Sequence, residues 1–365
     1  MNTNDITRPS RRRFLALASA AAASTVAPLD AVRLQGSAAG KARRLTWPGF
    51  LDLQVNGFAG VDFNDPATTA NDLQRAIGVL RSHGVTRFLP TLITSSAQRF
   101  DQCAKRMLQA GADAVAGIHM EGPYISPEDG PRGAHLREFT AAASIDDFKR
   151  RQEAAEGRIR LVTLAPEVPG ALPLIEYLRA QGIRVAIGHT AASAEVIRAA
   201  INAGATLSTH LGNGAANMIP RHPNFIWEQL AADEMMASLI VDGHHLPPAT
   251  VKTMIRAKGV RRTILVTDAI AAAGQPPGEY QLGGVKVRLD ETGRVAVPGA
   301  PNLAGSALAM DRAVANTVRF AGVTIEDALA MASTNPAGYL GVKTSGTLHL
   351  EWDQETFTLR VLRVS

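Results

Sequence analysis

The sequence is nearly without cysteine: of its 365 residues, one, Cys103, carries a thiol. A single thiol excludes an internal disulfide and any metal site built on two cysteines. We expect Cys103 to be a helix residue that takes no part in the chemistry of the protein.

Charged and aromatic residues are also scarce. They make up 19% and 5% of the chain, against 46% hydrophobic residues, so the chain can bury a large core. Part of the formal net charge of +5 comes from arginines in the first 40 residues, and the rest is close to neutral. The interleaved basic and aromatic residues of nucleic-acid sites are missing, and we expect no nucleic-acid partner.

The first 40 residues resemble an export signal. The stretch S-R-R-R-F-L at 10–15 precedes a weakly apolar run of small residues that is too short to span a membrane stably. Paired arginines before Phe-Leu suggest the twin-arginine route, and we predict transient contact with that export machinery and a periplasmic location. Cleavage would fall within 20–39. If the segment is instead an amphipathic or disordered tail, the expected location is cytoplasmic.

From residue 45 onward, short apolar runs alternate with helical stretches. Strand-like runs lie at 49–55, 86–92, 114–120, 161–164, 185–187, 206–209, 238–241 and 263–267. Helical patterns lie at 71–83, 98–110, 145–156, 172–181, 194–203 and 247–257. This alternation predicts a parallel sheet, and about eight strands with crossover-length helices favour a closed (β/α)₈ barrel over a doubly wound sheet.

Two segments break the alternation. Residues 279–297 and 346–364 have the pattern of short strands separated by turns. We predict that they form a reduced β-subdomain at the edge of the barrel. The predicted organisation is a signal segment at 1–40, a barrel at 45–340 with a β insertion at 279–297, and a C-terminal β segment at 341–365.

Polar residues stand where several predicted strands end, which is where barrels of this kind carry their reactive groups. Glu121, His189, His210 and Asp268 hold such positions. Carboxylate and imidazole bind divalent cations, and an aspartate nearby can take a proton from water. Each residue alone has a plainer explanation, as a hydrogen-bonded core histidine or, for Asp268, as a helix cap. Together they predict a metal site with a base beside it.

The motifs in order resemble the N-acetylglucosamine-6-phosphate deacetylase family of the amidohydrolase superfamily. The first is P-G-F-L-D-L-Q-V-N-G at 48–57, where most of the superfamily has H-x-H and this family has Q-x-N. The others are H-M-E-G-P-Y at 119–124, R-G-A-H at 132–135, I-G-H-T at 187–190, T-H-L at 209–211, D-G-H-H at 242–245, V-T-D-A at 266–269, L-A-G-S-A-L-A-M at 303–310 and N-P-A at 335–337. The resemblance covers roughly 47–350 and implies a barrel hydrolase.

The resemblance also implies a metal centre. Glu121, His189 and His210 would hold one divalent ion per subunit, because Gln54 and Asn56 replace the histidines of a second site. Zinc is the first expectation, and Fe²⁺, Mn²⁺ or Co²⁺ would accept the same ligands. We also expect Gln54 and Asn56 to bind substrate.

Catalytic and substrate-binding roles follow from the same resemblance. Asp268 would act as general base toward the metal-bound water and then as general acid toward the leaving amine, while His135 polarises the acetamido carbonyl. His245 would contact the sugar or its phosphate. The remaining implied substrate ligands are Asn213 or Asn217, and Arg221 supplied across the interface of a homodimer.

The loop L-G-N-G-A-A-N-M-I-P-R-H-P-N at 211–224 is longer than the N-A-M loop of the family and leaves phosphate recognition open. We predict deacetylation of an N-acetyl amino sugar, with N-acetylglucosamine 6-phosphate as the first substrate. The alternatives are an exported deacetylase of an unphosphorylated amino sugar or cell-wall fragment, another amidohydrolase of the D-amino-acid deacylase or dihydroorotase type, and a non-catalytic binding protein.

Overall fold

The computed structural model describes residues 42–111, 113–216, 218–300 and 302–365. The predicted signal segment and Asn217 lie outside these residues. The strands are β1 Arg43–Pro48, β2 Phe50–Val55, β3 Gly57–Phe58, β4 Val61–Asp62, β5 Val85–Ile93, β6 Ile118–Glu121, β7 Ile159–Leu164, β8 Arg184–Ile187, β9 Leu207–Ser208, β10 Met236–Leu239, β11 Thr263–Leu265, β12 Gly278–Leu282, β13 Val285–Leu289, β14 Val295–Ala296, β15 Thr347–Asp353 and β16 Thr358–Val364.

The described residues form the six helices that the sequence pattern predicts and four more, one before β10 and three after β11. They are α1 Ala70–Ser82, α2 Ala97–Ala110, α3 Ile145–Ala154, α4 Ala171–Ala180, α5 Ala194–Ala203, α6 Phe225–Ala231, α7 Pro248–Lys258, α8 Met310–Ala321, α9 Ile325–Ala332 and α10 Thr334–Leu340. Several begin at a serine, threonine or asparagine whose side chain accepts a hydrogen bond from the first turn, as Ser96 does from the backbone N–H of Arg99. Cys103 lies buried in α2.

Eight strands form one parallel sheet in the order β11-β10-β9-β8-β7-β6-β5-β2. Their residues are almost all buried because helices cover the outer face and side chains fill the interior, which explains the near-continuous apolar runs in the sequence. The predicted (β/α)₈ barrel is confirmed. No helix in the described part of the chain is both long and apolar enough to cross a membrane.

The barrel closes between its first and last strands through a short seam. The backbone N–H of Asp268 donates to the carbonyl of Gln54 at 2.9 Å, and that of Asn56 donates to the carbonyl of Ala269 at 2.7 Å. Below them, the hydroxyl of Thr267 donates to the buried carboxylate of Asp52 at 2.6 Å. The seam therefore sets Gln54, Asn56 and Asp268 side by side at the carboxyl end of the barrel.

The two segments outside the alternation form separate small sheets, and the C-terminal one, in agreement with the predicted small β-subdomain from the termini, includes β1. The C-terminal strands β15 and β16 pair with β1 in the antiparallel order β1-β15-β16, whereas the insertion forms its own sheet in the order β12-β13-β14. The C-terminal strand β15 pairs with β1, so that Leu45 lies opposite Leu350. Leu350 and Trp352 are thereby buried against the barrel core. The insertion instead packs on a second, smaller apolar cluster beside the barrel mouth.

Candidate active site

The candidate ligands stand at the carboxyl ends of three strands of the barrel sheet. Glu121 is the last residue of β6, and His189 and His210 follow two residues after β8 and β9. The backbone of His189, His210 and Asp268 is left-handed, with φ of 53°, 30° and 50°. Such a conformation costs roughly 1–3 kcal/mol for a residue other than glycine and is often found at functional sites.

Glu121, His189 and His210 converge on one point. Oε1 of Glu121 lies 3.2 Å from Nε2 of His189 and 3.1 Å from Nε2 of His210, and the two nitrogens are 3.1 Å apart. All three side chains are buried, and they are the one group of ligand-type residues with metal spacing in the described chain. Two imidazole nitrogens facing each other across a carboxylate oxygen fit a divalent cation.

The surroundings of His189 orient its ring for this role. Nδ1 lies 2.9 Å from the backbone carbonyl of Pro131 and donates to it, which leaves the lone pair of Nε2 for a cation. Gly214 has a φ of +56°, and a Cβ placed there would lie 2.8 Å from Nδ1 of the ring. Only glycine lets this loop approach the imidazole so closely.

The two histidines determine the charge state of Glu121. Burial acts to raise the pKa of Glu121, but hydrogen bonds and charge from His189 and His210 outweigh it and hold that pKa well below its usual range. The carboxylate therefore stays ionised inside the protein, and a buried anion of this kind is stabilised by positive charge.

Gln54 and Asn56 are bound to the carboxylates. Nε2 of Gln54 donates to Glu121 at 2.9 Å and to Oδ1 of Asp268 at 3.1 Å, and Nδ2 of Asn56 donates to the same Oδ1 at 2.6 Å. Burial, with a contribution from the charge of Glu121, raises the pKa of Asp268 to about 6. Oδ1 of Asn56 is buried without a hydrogen-bond partner and is available to a ligand.

His135 lies beside His189, one of the candidate metal ligands. Its ring centroid is 4.3 Å from that of His189, and its Nδ1 is 2.8 Å from the hydroxyl oxygen of Thr94. Burial lowers the pKa of His135 to about 3, so the imidazole is neutral. A neutral imidazole can donate a hydrogen bond without adding charge to the site.

A cavity of about 270 Å³ opens onto these groups. Most of the residues singled out from the sequence line it, namely Asn56, Glu121, His135, His189, His210, Asn213, His245 and Asp268. Gln54 lies buried beneath Glu121 and Asp268. Arg221 is exposed and is not among the lining residues, and no lysine or arginine of the described chain lines the cavity.

The sequence pattern misses several residues of the site. Asp242 accepts from Nδ1 of His245 at 2.7 Å, and Thr94 contacts His135. The cavity also has apolar lining residues, including Ile93, Leu282 and Ala304. Asp242 in D-G-H-H could have been found as the polar neighbour of a histidine, but the apolar residues carry no sequence signal that separates them from core.

Several known proteins are similar to this chain in sequence and structure. The sequence model of the amidohydrolase family matches residues 45–350. The N-acetylgalactosamine-6-phosphate deacetylase of Escherichia coli O157:H7 is 37% identical over 82% of this chain and 78% of its own length. The N-acetylglucosamine-6-phosphate deacetylase of Lysinibacillus sphaericus is 34% identical over 84% and 79%. The crystal structure of the N-acetyl-D-glucosamine-6-phosphate deacetylase of Mycobacterium smegmatis has a TM-score of 0.80 at 31% identity, covering 88% of this chain and 86% of that chain.

Proposed function

Because this chain belongs to the amidohydrolase family and, within it, to the N-acetylglucosamine-6-phosphate deacetylases, we propose that it hydrolyses the acetamido group of an N-acetyl amino sugar 6-phosphate. The first substrate is N-acetylglucosamine 6-phosphate, and the products are glucosamine 6-phosphate and acetate. The observation that carries the proposal is the convergence of Glu121, His189 and His210 beside Asp268 in one cavity.

Glu121, His189 and His210 would hold one divalent cation per chain, with zinc as the first expectation. When bound, such a cation polarises a carbonyl and lowers the pKa of water toward about 7. Metal analysis of the purified protein identifies the ion.

Asp268 is placed to move the proton. Both hydrogen bonds from Gln54 and Asn56 go to Oδ1, which leaves Oδ2 to carry it. The carboxylate takes a proton from the water that adds to the acetamido carbon. It then gives that proton to the nitrogen as the C–N bond breaks, so that the amine and acetate separate.

His135 would stabilise the oxygen of the carbonyl under attack. When the hydroxyl of Thr94 donates to Nδ1 across 2.8 Å, the proton of the neutral ring sits on Nε2. That N–H can donate to the oxygen as negative charge develops on it.

Acetate release from three compounds tests the proposal: N-acetylglucosamine 6-phosphate, its galactosamine epimer and unphosphorylated N-acetylglucosamine. We expect the protein to release acetate from at least the first. Release from the unphosphorylated sugar alone would favour the alternative of an exported deacetylase for free amino sugars. No release from any of them would contradict the proposed reaction.

No lysine or arginine among the described residues lines this cavity, so a cation for the phosphate has to come from elsewhere. We propose that Arg221 of a second copy supplies it, because Arg221 is exposed and lies among the exposed apolar side chains of Met218, Ile219 and Trp227. A homodimer would cover that surface and bring a guanidinium to the site.

We expect Arg221→Ala to raise the KM for the phosphorylated sugar about 10–100-fold, because a charge-assisted hydrogen bond is lost. Steady-state kinetics measure this, with the unphosphorylated sugar as the control that should not change. Mixing Arg221→Ala with Asp268→Asn and allowing the subunits to exchange should restore activity, since one site in each mixed dimer has both residues. A mixture as inactive as its components would place Arg221 within its own subunit.

We also propose export by the twin-arginine route, on the sequence of residues 10–27 alone. A fusion of residues 1–40 to a reporter should reach the periplasm, and Arg11→Lys with Arg12→Lys should block it. Cell fractionation measures the outcome. Export that survives the double substitution would remove the twin-arginine interpretation and leave the location open.

A further inference from the structure

The active-site cavity has an apolar side that the proposed chemistry does not use. Ile93, Ala134, Leu282 and Ala304 line it there, and we call these four residues the acyl wall. Ile93, Leu282 and Ala304 belong to the small apolar cluster beside the barrel, and Ala134 packs against that cluster. The acyl wall is therefore an extension of the core beneath the β insertion.

The insertion is firmly docked where it contributes to this wall. Leu282 ends β12, and the turn after it is fixed because the backbone N–H of Gly283 donates to the carboxylate of Asp62 at 2.8 Å. Gly283 has a φ of +57°, and a Cβ placed there would lie 2.7 Å from Cδ1 of Ile93. The turn thus packs against Ile93, and Leu282 is 5% exposed.

The acyl wall adjoins the residue that would hold the carbonyl oxygen. Ala134 directly precedes His135, and Ile93 directly precedes Thr94, whose hydroxyl contacts His135. Gly212, Asn213 and His245 also line the cavity, and they offer hydrogen-bonding groups suited to a sugar.

The carbon of an amide bears three groups in one plane: an oxygen, a nitrogen and the acyl substituent. If the carbonyl oxygen of the amide faces His135 and its nitrogen faces Asp268, the acyl substituent points in the remaining direction of the amide plane. A methyl group is stabilised by apolar contact, because the contact removes its carbon from water. The acyl wall is the apolar surface that borders His135.

We propose that the acyl wall receives the acyl substituent of the substrate and that Leu282 limits its length to acetyl. The inference rests on the proposed deacetylation and names the residue that gives it its acyl specificity. The β insertion thereby has a role in the reaction that the barrel alone does not provide.

The experiment compares kcat/KM for N-acetyl-, N-propionyl- and N-butyrylglucosamine 6-phosphate. In the wild type we expect a steep fall with chain length. Leu282→Ala replaces an isobutyl group with a methyl group, and we expect it to raise the butyryl-to-acetyl ratio at least about tenfold. Leu282→Val should also raise the butyryl-to-acetyl ratio, but by a smaller factor. This variant replaces Leu282→Ala in the test if Leu282→Ala does not fold.

Leu289→Ala is the matched control. Leu289 is also 5% exposed and lies in the same apolar cluster, but it does not line the cavity. It should destabilise the insertion and leave the ratio unchanged. An unchanged ratio in both Leu282 variants, or an equal rise in Leu289→Ala, would overturn the role of Leu282 while the deacetylation stands. A wild type without activity on the acetyl compound would overturn both.

Discussion

Asp268→Asn lowers kcat by about 10²- to 10⁴-fold and leaves the metal content of the protein near that of the wild type: this is the result we expect. The range is that of a positioned general acid–base group, and here one carboxylate serves both proton transfers. Asparagine keeps the shape of the side chain and its contacts with Gln54 and Asn56 but cannot accept a proton. Acetate release, with metal analysis of the same sample, measures both effects.

Asp311→Asn is the control for a general effect of removing a carboxylate. Asp311 is paired with His83 at 3.0 Å and does not line the active-site cavity. Its variant should retain the kcat of the wild type. If Asp268→Asn also retained it, Asp268 would be excluded as the proton carrier, and a loss of metal in that variant would show that its role is structural.

The second large effect is expected from the metal ligands. Glu121→Gln removes the only carboxylate of the three-residue cluster. Loss of a residue that merely supports a ligand weakens metal binding about 10–100-fold, so the loss of a ligand should weaken it at least as much. We expect the metal content to fall from about one ion per chain to a small fraction, and acetate release to fall with it. Elemental analysis after dialysis gives the stoichiometry.

Chelation gives an independent measure that does not depend on activity. A cation that binds the folded chain stabilises it by about 4 kcal/mol at a thousandfold excess over its dissociation constant. A chelator should therefore lower the melting temperature of the wild type but not that of Glu121→Gln. His244→Asn, which removes a half-buried histidine outside the cavity lining, should respond to the chelator as the wild type does. Equal responses of all three proteins would contradict the metal site.

Much of the site could be predicted because strand ends in a parallel barrel are fixed by the alternation of elements. That rule predicts that Glu121, His189 and Asp268 lie near one another at one end of the barrel. It does not distinguish a ligand from a histidine that serves the core. His119 lies two residues before Glu121 in the same strand, but its two ring nitrogens contact the hydroxyls of Thr91 and Thr163, at 3.1 Å and 2.7 Å.

The rest of the site depends on contacts between residues distant in sequence. The hydrogen bond from Asn56 to Asp268 spans the closing seam, and the contact of Leu282 with the cavity depends on how the insertion docks. Strand pairing in the outer sheets is also set by side-chain packing and register, which a local pattern does not contain. The two β segments were therefore predicted as strands, but their division into separate sheets was not.

The left-handed backbone at His189, His210 and Asp268 sets the folding stability of this protein against its proposed activity. Glycine at any of the three would relax the chain locally by roughly 1 kcal/mol or more in the metal-free state, while deleting a group that the reaction needs. A screen for thermal stability that uses metal-free protein and does not measure activity would therefore select variants that fold well but are inactive.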